Sequence, residues 1–325
     1  MRRTIDWVDG AIEILDQCAL PQEVRVLRLT TVDELIAAIR RLAVRGAPAL
    51  GAAGALGTAL SALCHKDDDA VRADAKRLAD ARPTAVNLGW GVRRALNRLP
   101  EGPQFVLEEA MAILDEDERV NRKASERAAE FLLRRCARRP LRLLTHCNAG
   151  RLATVGWGTA LGVVWHLQAG GHLEYVFADE TRPLLQGARL TAWELAEAGV
   201  PYRLLPDSAA ASAIARGLVD AVVVGADRIA ANGDVANKVG TYPLALAAAR
   251  HGIPFVVVAP MSTVDSEIPS GDGIVVEERA AEEVTHVAGR RVAPPDAAVF
   301  NPAFDVTPAD LVTAIATEDG FFPLV

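Results

Sequence analysis

The 325-residue chain has only four cysteines, Cys18, Cys64, Cys136 and Cys147, and no Cys-x-x-Cys pair. That spacing argues against a zinc ribbon and a disulfide scaffold, and it fits a reducing compartment. The six histidines are scattered too. The only adjacent Cys/His pairs, Cys64-His65 and His146-Cys147, are consecutive residues that seldom face one ion, so no metal is expected. Also missing are the Gly-x-x-x-x-Gly-Lys-Ser/Thr loop and a Gly-x-Gly-x-x-Gly fingerprint after the first strand of the second half, so nucleotide hydrolysis and dinucleotide redox chemistry lose support. An excess of positive charge is lacking: 35 basic against 42 acidic residues leave a net charge of -7. Such a chain repels nucleic-acid backbones on average, and an anionic ligand must meet a local basic cluster. Long apolar runs are also wanting. The longest, Ala47 to Cys64, is rich in Ala and Gly and shorter than a comfortable membrane span, so it reads as a packed core helix. The opening Met1-Arg2-Arg3 meets Asp6 and Asp9 before any apolar stretch, which does not read as a signal peptide; the expected location is the cytoplasm.

What is present divides into two halves. After two alternating stretches, Ala11–Ile14 and Val24–Leu27, separated by Leu20-Pro21, apolar positions from Thr31 to about Arg135 recur mostly at helical spacing. One helix opens at Val32, Pro48 lies near the start of a second, and Glu108 to Leu133 forms a long amphipathic third. After Pro140, short apolar runs at Leu141–Thr145, Tyr175–Ala178, Tyr202–Leu205, Ala221–Val224 and Ile253–Val258 alternate with helical stretches at Ala153–Gln168, Leu185–Ala198 and Tyr242–His251. This alternation signals a parallel sheet with crossover helices. The expected α/β architecture is therefore a mainly helical N-terminal domain (1–115) followed by a doubly wound Rossmann-like domain (116–325), joined by the helix around 105–135.

Ligands of such sheets bind outside the carboxyl ends of the strands. The polar signals collect there: His146-Cys147-Asn148 after the first strand, Asp179 to Pro183 after the second, Ala226-Asp227-Arg228 after the fourth, and Ser262-Thr263 after the fifth. Cys147 before Gly150 could have its pKa lowered at a helix start or raised by apolar surroundings, and a buried inert cysteine is the plainer alternative. Asp227, ending an apolar strand, could be a desolvated general acid or base, or half of a structural ion pair with Arg228. The Ala231–Thr241 segment reads as a glycine-bearing loop running into a helix, with Asn237 and Lys238 offering an anion site or merely facing solvent. Arg45, ahead of Gly46, Ala47 and Pro48 at a helix start, could present a guanidinium fork to phosphate, although Pro48 alone explains the helix start. Arg82-Pro83-Thr84 repeats that theme, and Gln186 is a polar candidate on the rim.

These motifs, in this order, resemble the methylthioribose-1-phosphate isomerases of methionine salvage. The resemblance runs through Leu15-Asp16-Gln17, Arg45 to Gly51, Arg82 to Leu88, Leu144 to Thr154, Gly158 to Gly162, Asp179 to Leu195, Val224 to Thr241, Ser262 to Asp265, Glu277-Glu278-Arg279 and Asn301 to Pro308. It implies Cys147 and Asp227 as the catalytic pair, and Arg45, Gly46, Ala47, Arg82, Gln186, Asn237 and Lys238 as phosphate and sugar ligands. It also implies a homodimer with no metal or organic cofactor, and no nucleic-acid or membrane partner. The implied reaction converts 5-methylthioribose 1-phosphate into 5-methylthioribulose 1-phosphate. The alternatives are an isomerase of 5-deoxyribose 1-phosphate or ribose 1,5-bisphosphate, or a non-catalytic regulatory subunit akin to those of the initiation-factor guanine-nucleotide exchange factor. One departure from the family pattern is Val155-Gly156-Trp157, expected to affect helix packing or the pocket wall.

Overall fold

The computed structural model describes residues 3–83 and 85–324; Thr84 of the Arg82-Pro83-Thr84 turn, together with Met1 and Arg2 of the basic opening, lies outside the described residues. The chain opens with an antiparallel sheet of β1 (Ile5–Val8), β2 (Ala11–Leu15) and β3 (Val26–Leu29). β3 starts two residues later than the alternation at Val24 suggests, because Leu15 pairs with Val26 and leaves Val24 exposed. Helices α1 (Val32–Arg40), α2 (Ala47–Cys64), α3 (Asp68–Ala79), α4 (Val86–Leu96) and α5 (Pro103–Arg135) follow. Thr31 and Glu34 form a capping box that starts α1.

The Ala/Gly composition of α2 is explained by how close its neighbours lie. A Cβ on Gly91 of α4 would come within 1.9 Å of the Gly51 carbonyl oxygen, so the two helix backbones touch where they cross. By length and hydropathy α2 could span a membrane, yet 83% of it is buried inside the protein. It is the centre of the N-terminal core, packed by Leu35, Leu78, Leu88 and Leu114.

The second half contains β4 (Leu141–Thr145), α6 (Ala160–Ala169), β5 (Leu173–Asp179), α7 (Ala192–Glu197), β6 (Tyr202–Leu205), α8 (Ala210–Ala215), β7 (Ala221–Val224), β8 (Arg228–Ala230), β9 (Val235–Lys238), α9 (Thr241–His251) and β10 (Phe255–Val258). Then come β11 (Val264–Asp265), α10 (Glu282–Thr285), β12 (His286–Val287), β13 (Arg290–Arg291), β14 (Phe304–Thr307), β15 (Ala314–Ala316) and β16 (Phe321–Phe322). The main sheet has the order β16-β15-β10-β7-β4-β5-β6, with only β16 antiparallel. Its strands β7 and β10 are apolar throughout because both faces of the sheet are covered, one by α5 and α6, the other by α8 and α9.

Three segments differ from the sequence expectation. After a 3-10 turn at Arg151–Ala153, residues 154–159 are not helical; Gly158, at φ +91°, lies against Gly150, and α6 starts only at Ala160. Leu185–Ala198 begins as a π-helical turn, Gly187–Thr191, before α7. The Ala231–Thr241 loop is largely a hairpin, since β9 pairs with β8 and with the sequence-distant β14. Trp157 packs on α5: its Nε1 donates to Ser125 Oγ at 3.1 Å, and Arg122 stacks over its ring.

α5 is tied to the loop after β4 by Asp117, whose buried carboxylate accepts the Val155 N–H at 2.8 Å. Burial pushes its pKa up to about 7. Because the folded value exceeds the unfolded one, this carboxyl is best tolerated below the unfolded pKa, and its ionisation costs stability as pH rises towards 7. Asp117→Asn keeps an acceptor for Val155 and removes the charge. Its stability relative to wild type, measured by urea unfolding, should therefore improve by roughly 2–3 kcal/mol between pH 5 and pH 8. A pH-independent difference would show that Asp117 does not titrate in this range.

Candidate active site

In the main sheet, β4 has β5 on one side and β7 on the other, so the chain leaves it in opposite directions. Loops at the carboxyl ends of such strands part and open a crevice. A cleft lies there, and its lining includes all nine residues expected from the sequence: Arg45, Gly46, Ala47, Arg82, Cys147, Gln186, Asp227, Asn237 and Lys238.

Cys147 follows β4 in a left-handed conformation, φ +61°, uncommon for a side-chain-bearing residue. Two threonines hold it: its N–H donates to Thr181 Oγ1 at 2.9 Å, and its carbonyl accepts the Thr191 hydroxyl at 2.6 Å. Since the following α-helix begins only at Ala160, the thiol does not sit at that helix's N-terminus. Burial pushes the Cys147 pKa up, against the pull of Arg45 and Lys238; a nearby Asp227 charge adds to the rise. Of the two opposing influences expected from the sequence, burial wins.

Asp227 leads into β8, and its N–H donates to the Ala236 carbonyl at 2.9 Å. Burial raises its pKa as well, while Lys238, Arg82 and Arg45 act to lower it. Arg228 reaches Asp265 at 3.8 Å, so the cations that bear on Asp227 come from other elements.

The cations enter from several sides. Gly46 has φ +95°, and a Cβ there would come within 2.4 Å of the Ala153 carbonyl oxygen, so glycine lets the start of α2 close against the loop after β4. Arg45, buried just before it, donates to the Asn148 carbonyl at 3.3 Å, and its Nε has no partner among the described residues. Lys238 Nζ donates to the Ala303 carbonyl at 2.6 Å and lies 5.1 Å from the Phe304 ring centroid. Burial lowers its pKa, opposed by Cys147 and Asp227. Asn237 Nδ2 donates to Thr241 Oγ1 at 2.9 Å. Arg82 faces Glu277 at 3.6 Å. Gln186 is buried rather than on the rim, and its Oε1 is without a partner among the described residues.

The structure adds residues that were not among the nine expected. Arg279 lines the cleft and pairs with Glu277 and Glu283 at 2.7 and 2.5 Å. His146, Asp179 and Asp207 bring ligand-type atoms together. Asp207 spends both oxygens on the N–H groups of Thr181 and Arg182, each at 2.7 Å, so this group braces loops. The signal for His146 was its place beside Cys147; nothing local pointed to Asp207. Chemically, the cleft joins helix-start N–H groups and cations, suited to phosphate, with a thiol and a carboxyl of raised pKa, suited to proton transfer.

Comparison with known proteins agrees with this chemistry. The Initiation factor 2 subunit family matches residues 43–324. A probable bifunctional methylthioribose-1-phosphate isomerase/methylthioribulose-1-phosphate dehydratase of Nocardia farcinica is 60% identical over 98% of this chain, which spans 58% of that longer protein. A methylthioribose-1-phosphate isomerase of Anaeromyxobacter sp. is 56% identical, covering 95% of this chain and 90% of its own length. Among solved structures, 5-methylthioribose 1-phosphate isomerase from Pyrococcus horikoshii aligns with a TM-score of 0.90 and 43% identity, covering 99% of this chain and 92% of that one. A chain described as translation initiation factor eIF-2B, subunit delta, from A. fulgidus aligns at 0.88 and 45%, covering 99% and 96%. With the crevice at the strand-order reversal and these relatives over nearly its whole length, the chain belongs to the Initiation factor 2 subunit family, in its methylthioribose-1-phosphate isomerase branch.

Proposed function

We infer that the protein is an aldose-ketose isomerase converting 5-methylthioribose 1-phosphate into 5-methylthioribulose 1-phosphate, working as a cytoplasmic homodimer without an organic cofactor. The observation that carries this reading is one cleft lined by Cys147 and Asp227 together with Arg45 and Lys238. Among the described residues, both of these cations donate to Asn148 or to a carbonyl and to no carboxylate, so they are available to a phosphate.

Phosphate on the anomeric oxygen blocks ordinary ring opening, so the enzyme must break the C1–ring oxygen bond with the phosphate still attached. Asp227, which burial helps to keep protonated, gives its proton to the departing ring oxygen, and its carboxylate then takes the C2 hydroxyl proton. Cys147 manages the hydrogen that moves from C2 to C1. As a base it must first become a thiolate, which Arg45 and Lys238 favour and burial opposes. In a second route, hydrogen crosses from C2 to C1 as hydride while the neutral thiol, kept protonated by burial, donates a hydrogen bond. Both routes return Asp227 to its starting state.

The C5 group follows from charge. Among the described residues, Arg82 and Arg279, the cleft's other arginines, already face Glu277, Arg279 also faces Glu283, and the His146 ring is taken up by Asp179 and the Val239 carbonyl. A second phosphate would lack a free cation, whereas Leu42, Pro48, Leu184 and Phe304 offer apolar contact. Offering the three sugar phosphates and following ketose by NMR in deuterated water tests this. Methylthioribose 1-phosphate should exceed 5-deoxyribose 1-phosphate in kcat/KM by about 10-fold or more, and ribose 1,5-bisphosphate should be poorest. Best turnover of the bisphosphate would overturn the substrate reading, and no turnover of any would overturn the isomerase. Deuterium at C1 marks proton transfer, and its absence marks the hydride route.

A further inference from the structure

We propose that His146, with Asp179 behind it, is a positioning residue of this site: an imidazolium donating from both nitrogens, which ties the strand end bearing Cys147 to the strand end bearing Lys238. The proposal rests on the isomerase reading for its kinetic part only.

The ring is buried, 1% exposed, as is Asp179. Its Nδ1 lies 2.8 Å from Asp179 Oδ2, and its Nε2 lies 2.9 Å from the Val239 carbonyl oxygen. A carbonyl can only accept, so Nε2 carries a hydrogen. An ionised carboxylate can only accept as well, so Nδ1 carries another. A neutral imidazole has one hydrogen to give, and would leave two acceptors facing one donor in a buried place unless Asp179 took up the extra proton. Burial raises the Asp179 carboxyl above its usual value while the contact with His146 pulls it back down, and imidazole is ordinarily much the stronger base of the two, so the proton belongs on the ring. Burial disfavours the imidazolium, yet the hydrogen bond and charge of Asp179, with the Val239 carbonyl and the charge of Asp207, outweigh it and leave the His146 pKa above its usual value. Asp305 is the further carboxylate that feels the ring, and it accepts the N–H groups of Gly240 and Tyr242.

The connections explain what the ring does. His146 immediately precedes Cys147, and Val239 immediately follows Lys238. Gly240, at φ +105°, comes so close to the ring that a Cβ would lie 2.7 Å from its Cε1. Asp179 ends β5, and Thr181, two residues on, donates to the Asp179 carbonyl at 3.2 Å while accepting the Cys147 N–H. Asp207, just past β6, holds the N–H of Thr181 in turn. The ring therefore joins β4, β5 and β9 beneath a cysteine held in an uncommon backbone conformation. Lys238 has independent support, because β9 pairs with β14 and Nζ reaches Ala303. Loosening the ring should thus displace the thiol more than the ammonium.

The test uses the full chain with 15N-labelled histidine, and Asp179→Asn and His146→Asn variants checked for folding by circular dichroism. In wild type, the His146 ring should keep two protonated nitrogens above the pH at which a free histidine loses one, a result that needs no substrate. Loss of one ring N–H near pH 6.5 would overturn the proposal. Asp179→Asn should leave a singly protonated ring, and both variants should lose about 10- to 100-fold in kcat with KM changed less than about 3-fold, as expected when a reacting group is misplaced but binding survives. A folded Asp179→Asn variant with kcat within about 3-fold of wild type, or a loss confined to KM, would also overturn it. Should the variants not fold, the wild-type nitrogen spectra still decide. Absence of isomerase activity in wild type would sink the functional reading without touching the ring measurement.

Discussion

Replacing Asp227 by Asn should lower kcat by at least about 10²-fold, since asparagine keeps the shape of the side chain but can neither give nor take the proton. KM should move little, because Arg45, Lys238 and the start of α2 remain to hold the phosphate. The pH profile carries the sharper signature. Burial raises the Asp227 pKa, so the protonated form persists above the ordinary carboxylate range. A step that needs this proton slows as pH rises through the raised value; in the asparagine variant that limb of kcat/KM should vanish, leaving a low, flat residue of activity. The backbone bond from residue 227 to Ala236 is untouched by the exchange, so the variant keeps its place in the fold and the loss is one of chemistry. A folded variant with turnover within a few-fold of wild type would remove Asp227 from the chemistry and reduce the cleft to a sugar-phosphate binding site.

Cys147→Ser is the second large effect, again at least about 10²-fold in kcat. Serine fits the space and keeps both backbone bonds to Thr181 and Thr191, so the loop after β4 should survive. What changes is acidity: the hydroxyl is a much weaker acid than the thiol and does not reach its anion near neutrality. Cys147→Ala is the informative companion, since its backbone strain is the same. If Ser and Ala lose equally, proton transfer is the function of the thiol; if Ser retains markedly more, hydrogen-bond donation in the hydride route is. The upward shift of the thiol can be read from the pH dependence of site-resolved alkylation, whose midpoint should lie above that of an ordinary thiol. Fast alkylation at pH 7 would mean that Arg45 and Lys238 outweigh burial.

The amount legible in the sequence differed from segment to segment for physical reasons. A strand buried on both faces, such as Ala221–Val224, was read at its observed ends, because a continuous apolar run bounded by polar residues leaves one solution. The hairpin of β8 and β9 was taken for a loop, because its pairing strand, β14, comes some 65 residues later and local periodicity cannot register it. The helix expected across Ala153–Gln168 failed at its first half, where packing of Gly158 on Gly150 outweighs helical propensity. Gln186 was expected on the rim and is buried, since the π-helical turn that follows it closes on Asp179.

By itself the sequence determined the alternation of short apolar strands and helices after Pro140, the polar loops at the strand ends and the residues that would meet there, because hydrophobic period and turn chemistry act over a few neighbours. Tertiary structure alone decided that Cys147 lies well ahead of the helix that follows it, that Arg228 turns to Asp265, and that His146 is caught between Asp179 and Val239. Those outcomes depend on burial and on charges brought together from distant strands, and desolvation and electrostatics are properties of a place in the fold, which no stretch of chain carries on its own.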